Sequence, residues 1–280
     1  MKLSLTDFKP EIVFHLAAQP IVRESYINPV YTYETNVMGT VNILEAIREC
    51  GSVKSAVNVT TDKVYENKEI SKGYIEEDNL CGYDPYSNSK SCSELVTYSY
   101  KKSFFYTEDA PAISTARAGN VIGAGDFSKN RIIPDCVRAG YNNDRIEVRS
   151  PGSIRPYQYV LDCLYGYLQL AKLQYNDKDI SGSYNFGPSI SDCVTTKDLV
   201  EKFCASWGNN LDYYIKADNI VHESNILMLD STKAHTKLIW NPKYSIDESV
   251  KKTVELYKMI RESNFENYAY SHIINFFNEL

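Results

Sequence analysis

Thr60-Thr61-Asp62-Lys63-Val64-Tyr65-Glu66 follows directly on the apolar run Ala56-Val57-Asn58-Val59. Such a run predicts a β-strand, so Thr61, Asp62 and Lys63 come at its carboxyl end. In an open parallel sheet, ligands bind at the carboxyl ends of the strands. The sequence therefore predicts that these three polar side chains border a ligand site.

A second stretch, Asp84-Pro85-Tyr86-Ser87-Asn88-Ser89-Lys90, predicts the start of a helix, with Asp84 as the N-cap and Pro85 in the first turn. Tyr86 and Lys90 are four residues apart and so share one helix face. A phenol titrates near about 10, and an ammonium group one turn away favours the phenolate, which can then accept an alcohol proton.

This spacing is weak evidence by itself, because the chain contains 23 tyrosines and the pair could equally lie on a solvated helix face. The Thr-Thr-Asp-Lys strand end makes the catalytic interpretation the stronger one, since the hydroxyl of Thr61 can share the substrate oxygen with Tyr86.

Composition limits the class of protein. The 280 residues are 43% hydrophobic and 24% charged, which is ordinary for a globular protein. A net charge of −6 gives no reason to expect nucleic acid or an anionic membrane as a partner. The seven cysteines are scattered and include no Cys-x-x-Cys, so we expect reduced thiols in a cytoplasm and no metal site.

Strand and helix patterns alternate through the first half of the chain. A short strand before Leu16, Ala17, Ala18 and Gln19 precedes a helix over 31–50, and the strand at 56–60 follows. This order predicts an α/β fold with a parallel sheet. The small residues after the first strand suit either a closely approaching ligand or tight packing, and Asn36 suits either a structural role or positioning of the Tyr86 helix.

Further strands are predicted at 113–118 and 183–188, and helices at 133–139, 162–173, 196–207 and 246–261. The alternation weakens from about residue 131, which indicates a second, smaller region. There, arginines and aromatic residues in Arg155-Pro156-Tyr157-Gln158-Tyr159-Val160 suit phosphate and nucleobase contacts or, equally, an exposed charged surface.

Several motifs together resemble the extended short-chain dehydrogenase/reductases. They are Ile12-Val13-Phe14-His15-Leu16-Ala17-Ala18-Gln19, Thr35-Asn36-Val37-x-Gly39-Thr40, Thr61-Asp62-Lys63 and Tyr86-x-x-x-Lys90. Thr60–Asn67, Ala116–Gly123 and Arg155–Leu161 resemble, more narrowly, the CDP-glucose 4,6-dehydratases, which have Asp-Lys where many nucleotide-sugar dehydratases have Asp-Glu. The resemblance covers nearly the whole chain.

The resemblance implies a doubly wound Rossmann-type sheet, N-terminally incomplete, with a smaller mixed α/β substrate domain. It implies an NAD-binding domain at 1–130 plus about 156–190, a nucleotide-sugar domain at about 131–155 plus 191–261, and a C-terminal tail at 262–280. It also implies a cytoplasmic homodimer that makes a deoxysugar for lipopolysaccharide O-antigen. From the net charge and the lack of a long apolar run, we expect no nucleic-acid and no membrane partner.

The same resemblance assigns roles to individual residues. Tyr86, with Lys90 and Thr61, would remove the proton of the sugar 4-hydroxyl while its hydride passes to NAD. Lys63 would take the proton at carbon 5, Asp62 would protonate the departing 6-hydroxyl, and the hydride would return to carbon 6. The implied cofactor contacts are Leu16, Ala17, Ala18, Gln19, Asn36, Thr60, Tyr86, Lys90 and Ala116. The implied contacts of CDP-glucose are Asn120, Arg131, Arg155, Gln158 and Asn185.

Members of the family begin with a strand, a glycine-rich turn and a helix whose N-terminus binds the NAD pyrophosphate. This turn belongs to the first dinucleotide-binding half of the fold. About sixty residues of that half, including the turn, are expected to lie before the point where the sequence starts. Two further interpretations stay open. One is a nucleotide-sugar 4-epimerase or reductase, which has no need of Asp62 and Lys63. The other is an inactive remnant that binds nucleotide sugar or a full-length subunit.

Overall fold

The computed structural model describes residues 2–216 and 225–280. The strands are β1 (Ile12–His15), β2 (Ser55–Val59), β3 (Ala112–Ala118), β4 (Val121–Ile122), β5 (Ile146–Val148), β6 (Ile154–Arg155), β7 (Gln158–Tyr159), β8 (Ser183–Phe186), β9 (Val194–Thr195) and β10 (Tyr213–Ile215). The α-helices are α1 (Lys2–Phe8), α2 (Val22–Ile27), α3 (Pro29–Tyr33), α4 (Gly39–Glu49), α5 (Pro85–Phe104), α6 (Ile132–Asn142), α7 (Val160–Asn176), α8 (Thr196–Trp207), α9 (Thr232–Leu238), α10 (Ile246–Met259) and α11 (Phe265–Asn278).

The chain divides into two compact units. The first comprises Met1–Gly119, Tyr165–Phe186 and Leu229–Trp240, and the second comprises Asn120–Leu164, Gly187–Met228 and Asn241–Leu280. The helix predicted over 31–50 is present as α3 and α4, joined by a π-helical segment, Glu34–Met38. Such π-helical turns inside helices occur often at functional sites.

The first unit contains a four-stranded parallel sheet in the order β1-β2-β3-β8. Val13, Ala56 and Ile113 are in register and pack with apolar residues of α4. On the opposite face, Ser55 donates a hydrogen bond to the carbonyl of Ala171 in α7 at 2.9 Å. Because alternate residues of a strand point to opposite faces, the sheet has a helix on each side, as the predicted α/β fold requires.

Helix α5 contacts the rest of the first unit mainly through polar side chains, although Val96 and Tyr100 pack against the apolar core. Its buried residues are Tyr86, Ser87, Ser89, Lys90, Ser91, Ser93, Glu94 and Thr97. The sheet presents a matching polar row to it, in which Asn58 donates to the hydroxyls of Ser93 and Thr97, both at 2.9 Å. Small polar side chains therefore supply much of the contact between this helix and the sheet.

The second unit has its own apolar core, formed where α6, α8 and α10 pack together. Its strands make short pairs: β4 with β7 and β5 with β10 in parallel, and β6 with β9 antiparallel. Capping boxes at Thr195–Asp198 and Ser245–Glu248 begin α8 and α10. The C-terminal segment forms α11, which buries Phe276 completely.

Candidate active site

The segment after β2 turns the polar side chains of the Thr-Asp-Lys motif into a compact group. The chain passes from Val59 into a 3₁₀ turn, Asp62–Val64, which begins at Thr61. The Thr61 hydroxyl accepts a hydrogen bond from the Lys63 amide at 3.4 Å and donates to Asp62 Oδ1 at 2.9 Å. Thr61 and Asp62 are buried, whereas Lys63 is half-buried.

Helix α5 begins as predicted, with the Asp84 carboxylate accepting the Ser87 amide at 3.0 Å and Pro85 in the first turn. Tyr86 is buried, and Lys90, which is 5% exposed, donates from Nζ to the carbonyl of Val59 at 3.1 Å. The helix also packs against the Asp62–Val64 turn. The structure therefore brings together the two stretches from which the sequence predicted a catalytic site.

Burial lowers the pKa of Lys90 to about 8, and the Glu94 carboxylate one helical turn away opposes that shift. An ammonium group in this position favours ionisation of a neighbouring phenol. At neutral pH Lys90 is therefore largely charged, but its pKa lies close enough to 7 for it to exchange a proton.

Asn36 joins the loop after β1 to the catalytic helix. Its Oδ1 accepts the Gln19 amide at 2.8 Å, and its Nδ2 donates to the Gln19 carbonyl at 3.1 Å and to the Ser89 hydroxyl at 2.9 Å. Leu16 and Ala17 are exposed and Ala18 is half-buried. These contacts satisfy both polar atoms of the Asn36 side chain, and its positioning of the Tyr86 helix stays a prediction.

His15, the last residue of β1, is a residue for which the sequence suggested no role. It is half-buried, and burial together with the positive charge of Lys90 lowers its pKa to about 4. His15 is therefore neutral near pH 7. Its position at a strand's carboxyl end was the available signal.

A buried ion pair lies beneath the site and was also missed. Both carboxylate oxygens of Glu94 bind Arg117 of β3, at 2.9 and 3.0 Å, and both side chains are 3% exposed. Thr60 donates to Glu94 Oε1 at 2.5 Å, and its amide donates to the carbonyl of the fully buried Ala116 at 2.8 Å. A glutamate four residues after Lys90 and an arginine inside an apolar strand were the signals in the sequence.

The residues predicted to bind substrate lie in different units. Asn185 is in the first unit, where its Oδ1 accepts the Tyr65 hydroxyl at 2.6 Å. Asn120, Arg131, Arg155 and Gln158 are in the second unit.

In the second unit, Arg131 pairs with Asp126 at 2.8 Å. Arg155 is buried and its guanidinium donates to the carbonyl of Ile154 at 2.9 Å. Gln158 is also buried, and its backbone amide donates to the carbonyl of Asn120 at 3.1 Å. Their contacts with a substrate stay predictions.

Within residues 2–216 and 225–280, no group of three or more histidine, cysteine, aspartate or glutamate side chains is arranged to hold a metal ion. In the same part of the chain, every helix is too short or too polar to cross a membrane.

Comparison with protein families supplies the identification. The family model described as GDP-mannose 4,6 dehydratase matches residues 1–253. The chain therefore belongs to the GDP-mannose 4,6 dehydratase family.

Two relatives in this dehydratase family show how close the match is. The chain is 44% identical to the CDP-glucose 4,6-dehydratase of Salmonella typhimurium over 263 residues, which are 92% of this chain and 73% of that enzyme. It is 28% identical to the dTDP-D-glucose 4,6-dehydratase of Mus musculus over 280 residues, covering 96% of this chain and 72% of the other. The resemblance seen in the motifs is thereby confirmed.

Solved structures agree on the fold. UDP-glucuronic acid 4-epimerase from Bacillus cereus superposes with a TM-score of 0.80 at 21% identity, covering 92% of this chain and 78% of the other. dTDP-glucose 4,6-dehydratase from Bacillus anthracis superposes with a TM-score of 0.75 at 22% identity, covering 93% of this chain and 76% of the other. The predicted Rossmann-type α/β class of this dehydratase-family chain is confirmed.

Proposed function

We propose that this chain is an NAD-dependent nucleotide-sugar 4,6-dehydratase that converts CDP-glucose to CDP-4-keto-6-deoxyglucose. The observation that carries the proposal is the 44% identity to a CDP-glucose 4,6-dehydratase over 92% of the chain. The site supports it, because a tyrosine–lysine pair and an aspartate–lysine pair lie on two segments that pack together.

The first step is oxidation at carbon 4 of the sugar. Tyr86 as phenolate accepts the proton of the 4-hydroxyl, and the Lys90 ammonium stabilises that phenolate. The Thr61 hydroxyl hydrogen-bonds the same oxygen. Because Lys90 is held by the Val59 carbonyl at 3.1 Å, its charge stays fixed next to the end of β2.

The second step is loss of water across carbons 5 and 6. The new 4-ketone makes the carbon-5 proton acidic, and Lys63 in its neutral form takes it while Asp62 protonates the departing 6-hydroxyl. An elimination needs one base and one acid, and the two neighbouring side chains supply both. Asp62 is buried and bonded to Thr61 at 2.9 Å, which orients its carboxyl group.

When bound, NAD would supply reversible hydride transfer between carbons 4 and 6, and Lys63 would return its proton to carbon 5, so that the reaction would have no net redox change. The loop after β1 fits such a group, since Leu16 and Ala17 are exposed at a strand's carboxyl end and small side chains let a ligand approach the backbone. Gln19 and Asn36 would hold the shape of this loop, and Thr60 and Ala116 would support the neighbouring strand ends.

Asn120, Arg131, Arg155, Gln158 and Asn185 would contact the nucleotide sugar, with the arginine forks suited to its diphosphate. We further propose a division of labour in which an NAD-binding domain (1–130 plus about 156–190) works with a nucleotide-sugar domain (about 131–155 plus 191–261).

The molecule is proposed to be a cytoplasmic homodimer that serves O-antigen synthesis. Leu95 and Tyr98 on α5 are exposed, which suits contact with a second copy. All seven cysteines lie among the described residues as thiols and not as disulfides, which suits a reducing compartment.

The test is calorimetric titration of the 280-residue chain with NAD, followed by turnover of CDP-glucose measured by absorbance of the 4-keto product. Tyr86→Phe should lower kcat by about 10²–10⁴-fold, the usual contribution of general acid–base groups. Lys63→Ala should stop product formation while cofactor reduction continues. Tyr83→Phe and Lys72→Ala, which change exposed side chains, are the matched controls.

Each outcome has a distinct meaning. Unchanged turnover in Lys63→Ala would remove Lys63 as the base. A wild-type rate in Tyr86→Phe would refute Tyr86 as the group that accepts the 4-hydroxyl proton. A folded chain that binds no NAD would support the inactive, partner-binding alternative.

A further inference from the structure

The segment that carries Thr61, Asp62 and Lys63 is held on both sides by one buried ion pair. On its amino side, the Thr60 hydroxyl donates to Glu94 Oε1 at 2.5 Å. On its carboxyl side, the Tyr65 hydroxyl accepts from Arg117 Nη1 at 2.8 Å. The two charges of the pair therefore each hold one end of the same short segment.

We propose that Glu94 and Arg117 form a clamp that positions the acid–base segment against the helix bearing Tyr86 and Lys90. Glu94 lies on α5 one turn after Lys90, so the carboxylate that holds Thr60 is rigidly connected to the tyrosine–lysine pair. The clamp thereby sets the spacing between the groups for oxidation and those for elimination. This functional meaning rests on the proposed dehydratase activity, whereas the clamping itself does not.

The geometry of the pair is that of a fully bonded network. Glu94 accepts two bonds at each oxygen: from Thr60 and Arg117 Nε at Oε1, and from Thr115 at 2.7 Å and Arg117 Nη2 at Oε2. Removing two charges from water costs free energy that their attraction offsets only partly. Overall stability is therefore a poor explanation for this pair, and fixed geometry is a better one.

The Tyr65 end of the segment has a second support. Its hydroxyl donates to Asn185 Oδ1 at 2.6 Å, and Asn185 Nδ2 donates to the carbonyls of Tyr74 and Asp230 at 2.8 and 3.1 Å. Tyr65 also stacks on Tyr74, with ring centroids 5.1 Å apart. The hydroxyl of Tyr65 thus transmits the position of Arg117 to the chain just after Lys63.

Three substitutions that remove a hydroxyl while nearly keeping the shape of the side chain distinguish a clamping effect from a general loss of stability. Thr60→Val releases the amino side of the segment, and Tyr65→Phe releases the carboxyl side while keeping the ring. Thr115→Val is the matched control, because it also removes a buried hydroxyl from Glu94 but lies on β3, away from the segment.

The measurement is hydrogen–deuterium exchange of the peptide 61–66 in the folded 280-residue chain, which needs no ligand. We expect exchange in this peptide to rise about ten-fold in Thr60→Val and in Tyr65→Phe, since each loses a hydrogen bond to a charged group, and to rise less than two-fold in Thr115→Val. Unchanged exchange in the first two variants would overturn the clamp. An equal rise in exchange in all three variants would also overturn it. A rise in only Thr60→Val or only Tyr65→Phe would overturn a clamp that acts from both sides.

Turnover of CDP-glucose provides the functional readout. Thr60→Val and Tyr65→Phe should lower kcat about ten-fold with KM changed less than two-fold, because positioning of reacting groups and not binding is disturbed. Thr115→Val should keep the wild-type kcat. If wild-type chain has no turnover, the proposed function fails, but the exchange experiment still decides whether the clamp exists.

Discussion

Replacing Lys90 with methionine tests whether a charged group is held in a costly environment for function. In the folded chain burial lowers the pKa of Lys90 to about 8, against 10.5 for an ordinary lysine. Because the folded pKa is the lower one, the unfolded chain binds more protons between these two values, and stability rises with pH across that interval. Below pH 8 the full cost of charging Lys90 is present.

The size of the effect follows from the two pKa values. At about 1.4 kcal/mol for each pH unit, the cost of the buried charge is about 3 kcal/mol at pH 7.5 and falls to about 1.5 kcal/mol at pH 9.5. Lys90→Met removes this cost and also leaves the Val59 carbonyl without its donor, a loss that does not depend on pH. The stability of the variant relative to wild type should therefore decrease by about 2 kcal/mol between pH 7.5 and 9.5.

Urea unfolding followed by circular dichroism at several pH values measures this difference. His15, with its pKa lowered to about 4, stays neutral over the range. Tyr86, the neighbouring phenol, is replaced by phenylalanine in both proteins so that its titration does not enter the difference. Lys72→Met, a change of an exposed lysine, is the control and should show no such trend. A Lys90→Met difference that is the same at both pH values would refute the depressed pKa and the role derived from it.

Two other predictions concern packing and the loop after β1. Phe276→Ala should lower the free energy of unfolding by about 3–5 kcal/mol, because Phe276 is fully buried, whereas Phe277→Ala, 37% exposed, should cost less than about 1 kcal/mol in the same urea experiment. Asn36→Ala and Asn36→Asp should each lower the free energy of unfolding by about 2–4 kcal/mol, because both lose the donor bonds to Gln19 and Ser89. Asn42→Ala, on the exposed face of α4, is the control and should have little effect. If both Asn36 variants are as stable as wild type, Asn36 does not link the loop to the helix.

The main strands and the long helices were readable in the sequence, because their signals are local. An apolar run ending in Thr-Thr-Asp-Lys predicts a strand and its carboxyl end, and Asp84-Pro85 predicts a helix start. The two-residue strands β4, β6, β7 and β9 of the second unit were not predicted, since strands this short have no periodic pattern of their own. Helix α5 was predicted from its start and not from its buried face, on which serines are the commonest residues.

The sequence by itself determined the fold class, the family and the chemistry available at the candidate site, because residue type and local spacing suffice for these. Only the tertiary structure decided that Lys90 bonds the Val59 carbonyl, that Asn36 bonds the loop at Gln19, and that a Glu94–Arg117 pair holds both ends of the acid–base segment. Such contacts join residues 17 to 52 positions apart, and pKa values depend on burial. Neither these contacts nor the pKa values are determined until distant segments pack together.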